Sequence, residues 1–162
     1  MAKEIERKFL VSDDSWRSQV TSRTAFRQGY IASLENRSVR VRIKADTDAT
    51  LTIKIGASSI VRDEYEYDIP VRDAEELMTT ALGIVIEKTR HTVDHEGFVW
   101  EIDVFEGLYE GLVVAEVEMN AETDQPSLPA WLGREVTGDP RFSNQNLATE
   151  DMSRELTRVV QN

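Results

Sequence analysis

Lys3-Glu4-Ile5-Glu6-Arg7-Lys8-Phe9-Leu10-Val11 is the stretch that decides how the rest of the chain is read. In an extended strand alternate side chains leave the same face, so Glu4, Glu6 and Lys8 point one way while Ile5, Arg7 and Phe9 point the other. Two carboxylates on one strand could hold a cation. A solvated strand face also carries charge, so the weight of this triplet depends on whether the pattern recurs.

It does recur. Arg40 and Arg42 share one face of a segment whose other face carries Val39, Val41 and Ile43, and Lys54 follows on Leu51-Thr52-Ile53-Lys54-Ile55. Glu64 and Glu66 alternate with Tyr65 and Tyr67, and Lys88 and Arg90 share a face after Val85-Ile86-Glu87. Glu101 and Asp103 alternate with Trp100, Ile102 and Val104, and Glu116 and Glu118 with Ala115, Val117 and Met119. The polar faces are thus sorted by charge, strand by strand. An antiparallel sheet with one wet face explains any single strand but not the sorting, because a face decorated for solubility gains from mixed signs and like charges set opposite each other repel. Concentrated cations need an anion. A polyanion with a divalent metal satisfies both populations, the carboxylates ligating the metal and the cations neutralising phosphate oxygens.

The same residues, in this order and on these strands, resemble the CYTH proteins, also called triphosphate tunnel metalloenzymes, and especially their short bacterial members. The opening Glu4-Ile5-Glu6-Arg7-Lys8 is similar to the family's signature of two glutamates and a lysine at alternate positions. The close of the chain, Trp131-Leu132-Gly133-Arg134-Glu135-Val136-Thr137 followed by Asp139, Arg141, Phe142, Asn144 and Leu147, also resembles that branch.

Eight strands are expected, near residues 2–11, 25–33, 37–45, 50–56, 60–69, 84–95, 97–105 and 112–121, with turn signals at Gly56-Ala57-Ser58-Ser59 and Glu96-Gly97. Pro70 ends one run, and Asp73 with Glu76 suggests a capping box on a helix carrying Leu77, Ala81 and Leu82 that Gly83 stops. The fold class is therefore β-rich α+β. Eight antiparallel strands can close a barrel, and the alternation gives it a charged lumen and an apolar outer wall. The resemblance implies a closed eight-stranded antiparallel barrel, the triphosphate tunnel fold, with flanking helices; pattern alone leaves a two-layer sheet open. An apolar wall needs cover, which segments 73–82, 127–133 and 144–160 are expected to supply, and a homodimer interface could cover the remainder.

With 162 residues and 40% hydrophobic content, residues 1–162 are expected to form a single domain with a real core. Cysteine is absent, which excludes disulfides and thiolate chemistry. No apolar run approaches a membrane-spanning length, and the expected location is cytoplasmic. A net charge of -11 opposes attraction to nucleic acid or an anionic membrane, yet it permits a small polyanion at one locally basic site.

The resemblance implies metal-assisted hydrolysis of a terminal phosphoanhydride, with inorganic tripolyphosphate as substrate and Mg²⁺ or Mn²⁺ as cofactor. Glu4, Glu6 and Glu118 then map onto the metal site, with Glu116 a secondary ligand. Lys8, Arg40, Arg42, Lys54, Lys88 and Arg90 hold phosphate oxygens, while Glu64, Glu66 and Asp103 hold a second metal, orient water, or make structural ion pairs. The Tyr30 phenol could bond Lys8 or a phosphate oxygen, or be an ordinary barrel aromatic. His91 and His95 fall outside the charged faces and are given no acid–base role, and Trp16, Trp100 and Trp131 read as core or lid anchors. Class IV adenylyl cyclase, hydrolysis of thiamine or nucleoside triphosphates, and noncatalytic polyphosphate binding remain open.

Overall fold

A computed structural model of the chain describes residues 3–56 and 60–160. Nine strands alternate with three helices: β1 (Lys3–Val11), β2 (Val20–Leu34), β3 (Arg37–Lys44), β4 (Asp48–Ile55), β5 (Val61–Ile69), α1 (Val71–Met78), β6 (Leu82–His95), β7 (Phe98–Phe105), β8 (Val113–Glu118), β9 (Leu132–Glu135), α2 (Asn144–Thr149) and α3 (Ser153–Val160). The sheet runs β5-β4-β3-β2-β6-β7-β8-β1, and pairing of β5 with β1 closes it into an eight-stranded antiparallel barrel.

The seam is β1. One edge of this strand takes β8, with Glu6 opposite Glu118 and Lys8 opposite Glu116. Its other pairings are shared: Lys3–Ile5 lie opposite β5, while Phe9 and Val11 lie opposite the short β9. Three acidic residues and a lysine therefore meet where the barrel closes. The opposite wall is a regular meander in which Arg40 and Arg42 on β3 face Thr52 and Thr50 on β4.

Three apolar clusters cover the wall and one end of the barrel. Val41, Ile43 and Ala49 pack under Ala74 and Met78 of α1. Phe9, Trp100, Ile102 and Val117 pack under Trp16, from the 3₁₀ turn Ser15–Gln19, and under Trp131, so all three tryptophans are core residues. Tyr30, Ile86, Phe105, Leu112 and Val114 form a third cluster with Phe142, Leu147, Ala148 and Leu156 of the C-terminal segment. Three of these residues share a strand face with a charged residue: Ile86 with Lys88, Phe105 with Asp103, Val114 with Glu116. The lumen is thus charged over part of its length and apolar at the end that the C-terminal helices fill.

Several local expectations need correction. Segment 127–133 supplies cover and also leads into a ninth strand, β9, whose four residues, one of them glycine, are too few to show an alternating pattern. Strand β2 begins at Val20, five residues earlier than expected, because Thr21-Ser22-Arg23-Thr24 offers no apolar alternation. Helix α1 has Pro70 at its N-cap with no side-chain cap bond; Asp73 sits in its first turn, where a carboxylate suits the positive helix end, and makes no capping box. Leu82 and Gly83 belong to β6, where Gly83 has φ 65° and an added Cβ would collide with the Ala148 carbonyl. The Glu96-Gly97 turn has φ 46° and 85°, the left-handed pair that a two-residue hairpin requires. Ala57-Ser58-Ser59 of the other turn signal lies outside the described residues. Among the described residues no helix is long and apolar enough to cross a membrane.

Candidate active site in the barrel lumen

The charged part of the lumen encloses a cavity of about 210 Å³. Its lining brings together Glu4, Glu6, Lys8, Tyr30, Arg40, Arg42, Lys54, Glu64, Glu66, Arg90, Glu116 and Glu118 from seven strands, together with Glu101, which shares a strand face with Asp103 but was given no role, and with Ser38, Lys44, Arg62 and Ser143–Gln145, which alternation did not single out. Arg62 and Lys44 share the strand parity of Glu64 and Arg42, so their signal was present. Ser143, Asn144 and Gln145 come from the start of α2, folded back over the barrel, and no strand periodicity could mark them.

The cations divide into two groups. Lys8 lies 3.4 Å from Glu116 and donates to the Phe142 carbonyl at 3.1 Å; Lys54 contacts Glu4 at 3.0 Å and Glu64 at 3.7 Å; Arg62 contacts Glu4 and Glu6. Arg40, Arg42 and Lys44, all on β3, make no ion pair among the described residues. Arg40 reaches only the Thr52 hydroxyl at 3.4 Å, and its Nε is buried without a partner. Arg42 is buried, and that burial together with Arg40 and Arg90 lowers its pKa to about 9. One wall of the cavity thus carries positive charge with no carboxylate in direct contact among the described residues, which is the arrangement an anionic ligand completes.

The carboxylates crowd the opposite side. Burial, Glu116 and Glu4 push Glu6 up to about 7. Burial and a hydrogen bond to Glu4 push Glu64 up to about 7, while Glu4, despite burial, is drawn down to about 2 by that same bond and by Lys54 and Arg62. Two carboxyl groups this close disfavour each other's ionisation, so the second proton is the harder to remove. Glu118 is raised by burial, Glu4 and Glu101. Burial opposes the charge of Glu116, but Lys8 and Arg90 outweigh it and bring Glu116 to about 2. For Lys8 the burial penalty is likewise overcome, by Glu116 and Glu6, and its pKa rises. Negative charge in excess of what neighbouring cations neutralise, presented by hard oxygen donors, fits a divalent cation of the Mg²⁺ type. Among the described residues no three acids already stand at ligand spacing, and Glu4 is engaged by Lys54 and Arg62.

Two residues expected at the cavity surface are placed behind it. Lys88 and Asp103 are 0% and 2% exposed at their side chains and 2.7 Å apart, and Asp103 also takes a two-pronged grip from Arg90 at 2.8 and 2.9 Å. Strand parity put them on the inward face, but their mutual pairing keeps both out of the cavity lining, which Arg90 reaches. Burial holds the Lys88 ammonium down, whereas Arg90 and Lys88 keep Asp103 ionised far below the usual carboxylate range. Tyr30 lines the cavity, but Lys8 spends its hydrogen bonds on Phe142 and not on that phenol. His91 packs edge-on against Trp16, and neither it nor His95 lines the cavity.

Comparison with known proteins agrees with this geometry. The CYTH domain model matches residues 2–149. An inorganic triphosphatase of Acetivibrio thermocellus is 48% identical over 148 residues, covering 91% of this chain and 94% of that protein. An inorganic triphosphatase of Nitrosomonas europaea is 35% identical over 149 residues, covering 90% and 96%. A crystal structure of an inorganic triphosphatase superposes with a TM-score of 0.64 at 34% identity, covering 93% of this chain and 97% of that one. A closed barrel with a charged lumen, matched by the family model over nearly its whole length, places the chain in the CYTH family.

Proposed function

We propose that this chain is a metal-dependent inorganic triphosphatase, hydrolysing tripolyphosphate to pyrophosphate and phosphate. The observation that carries the reading is the division of one enclosed cavity into a wall of unpaired cations, Arg40, Arg42 and Lys44, and a facing cluster of crowded carboxylates. Two relatives more than 30% identical are inorganic triphosphatases, which supports it. Among the described residues the cavity lining is mostly polar, with little apolar surface to receive adenine, which favours a linear polyphosphate over ATP.

Membership of the family implies a divalent metal. Glu4, Glu6 and Glu118 would hold it, with Glu116 adjacent, and Mg²⁺ or Mn²⁺ suits their oxygens. Bound there, the metal would polarise phosphate oxygens and neutralise their charge. Arg40, Arg42, Lys54 and Arg90 bind the remaining oxygens and keep the chain extended along the lumen, and Lys8, anchored by Phe142 and Glu116, stabilises charge developing at the reacting phosphate. Water attacks the terminal phosphorus, the bond to the bridging oxygen breaks, and pyrophosphate leaves with that oxygen. Glu64 and Glu66 face the cavity and are the acids available to orient the water and take its proton. Asp103 and Lys88 act through Arg90, fixing its guanidinium.

Measuring phosphate and pyrophosphate from tripolyphosphate, with the purified protein in chelator and after addition of Mg²⁺ or Mn²⁺, tests the proposal. Equimolar products that appear only with metal are expected; full turnover in chelator, or no turnover with either metal, would contradict it.

A further inference from the structure

Gln28, in the middle of β2, is completely buried and lies outside the cavity lining, yet both ends of its amide are engaged. Its Oε1 accepts from Arg42 Nε at 2.8 Å, and its Nε2 donates to Asn144 Oδ1 at 3.2 Å. The orientation is not arbitrary: Arg42 Nε can only donate, so the oxygen must face it. The same Asn144 oxygen takes a bond from Lys88 Nζ at 3.0 Å, which in turn reaches Asp103. An unbroken chain of hydrogen bonds therefore joins Arg42 on β3, through the buried Gln28 and the part-buried Asn144, to Lys88 and to Asp103, which grips Arg90 on β6.

Arg42 is held from two directions. Its guanidinium carbon stands 4.6 Å from the centre of the Phe26 ring, and Gln28 fixes its Nε. Among the described residues nothing accepts from its two terminal nitrogens, and the residue lines the cavity. A carboxylate at position 28 would hold the guanidinium equally well but would cancel its charge before any ligand arrived. A neutral amide holds without cancelling.

We propose that Gln28 is a positioning residue for polyphosphate binding: its uncharged amide, anchored by Asn144, keeps the Arg42 guanidinium aimed into the cavity with its charge free for a phosphate oxygen. This rests on the reading of the lumen as a triphosphate site. Without Gln28, Arg42 regains rotamer freedom, and ordering it again on binding weakens the complex.

A double-mutant cycle tests it, with tripolyphosphate binding followed by calorimetry in chelator and melting temperature recorded for every variant. Gln28→Met should weaken binding about tenfold when Arg42 is present, the worth of one charge-assisted hydrogen bond, and less than about twofold when position 42 is already Met. Gln28→Asn, which keeps an amide but withdraws it from Arg42, should show the same dependence if Gln28→Met does not fold. Equal losses in both backgrounds would make Gln28 a packing residue and overturn the proposal. Unchanged binding in Arg42→Met alone would overturn the assignment of the site itself, and this proposal with it.

Discussion

Replacing Asp103 with asparagine removes the one charge that two buried cations share. The Asp103 side chain is 2% exposed, Lys88 is 0% and Arg90 is 13%, so solvent cannot screen what is left behind. Removing one partner of a buried ion pair costs about 3–5 kcal/mol. Arg90 keeps Glu101 at 2.9 Å and Glu116 at 4.0 Å, whereas Lys88 keeps the neutral Asn144 oxygen and the more distant charge of Glu116, which places the loss near the lower end, at about 3 kcal/mol. Against a total stability of about 5–15 kcal/mol this is a large fraction, and it corresponds to a fall in melting temperature of about 6–12 °C. The pH dependence has a definite sign. Asp103 has its folded pKa depressed, so its stabilisation is fully present above the unfolded value and is lost as pH falls below about 4. Urea unfolding of Asp103→Asn followed by circular dichroism should therefore show a deficit that is clearest near about pH 5, narrows in acid as Asp103 of the parent protonates, and shrinks toward about pH 8 as the buried Lys88 gives up its proton. A deficit under about 1 kcal/mol near about pH 5 would refute the idea that Asp103 compensates both cations.

The two faces of β3 should separate cleanly: Arg42→Ala should weaken tripolyphosphate binding more than about tenfold with little change in melting, and Val41→Ala should cost about 2 kcal/mol of stability while binding stays near normal. The reverse result in calorimetry and thermal melts would mean the face assignment is inverted. In metal-free protein Glu6 and Glu64, with folded pKa raised to about 7, bind protons that the unfolded chain has lost, so stability should fall as pH rises from about 5 to about 8. Mn²⁺ affinity should accordingly weaken as pH falls below about 7, and Glu6→Gln should bind Mn²⁺ less tightly with a shallower pH dependence, as read by calorimetry. Gly83→Ala forces a side chain into a left-handed backbone against the Ala148 carbonyl, and should lower stability by more than about 1 kcal/mol in thermal melts.

The strands and their charged faces were legible because period two marks each of them, but that pattern fits a two-layer sheet as well as a barrel, and closure was expected only from the family resemblance. Charge sorting marked Glu4, Glu6, Lys8, Arg40 and Arg42 for the same reason. Parity alone could not say how deep a lumen residue lies. Lys88 and Arg90 share a face, yet Lys88 turns inward to Asp103 and Arg90 reaches the cavity, a difference set by tertiary pairing. Nor could it reveal Gln28, whose role depends on Asn144, 116 positions away. Strand β9 and the true start of α1 were hidden because four residues carry no period and because Pro70 preceded the expected capping residues.

The central claim is that this lumen directs water onto a linear triphosphate. The most direct test is to supply tripolyphosphate and ATP separately, with metal, in ¹⁸O-labelled water, and to compare kcat/KM and the position of the label. The account predicts a higher kcat/KM for tripolyphosphate, with label in the released phosphate or pyrophosphate and no cyclic AMP from ATP. A higher kcat/KM for ATP, with unlabelled pyrophosphate and cyclic AMP as products, would contradict it.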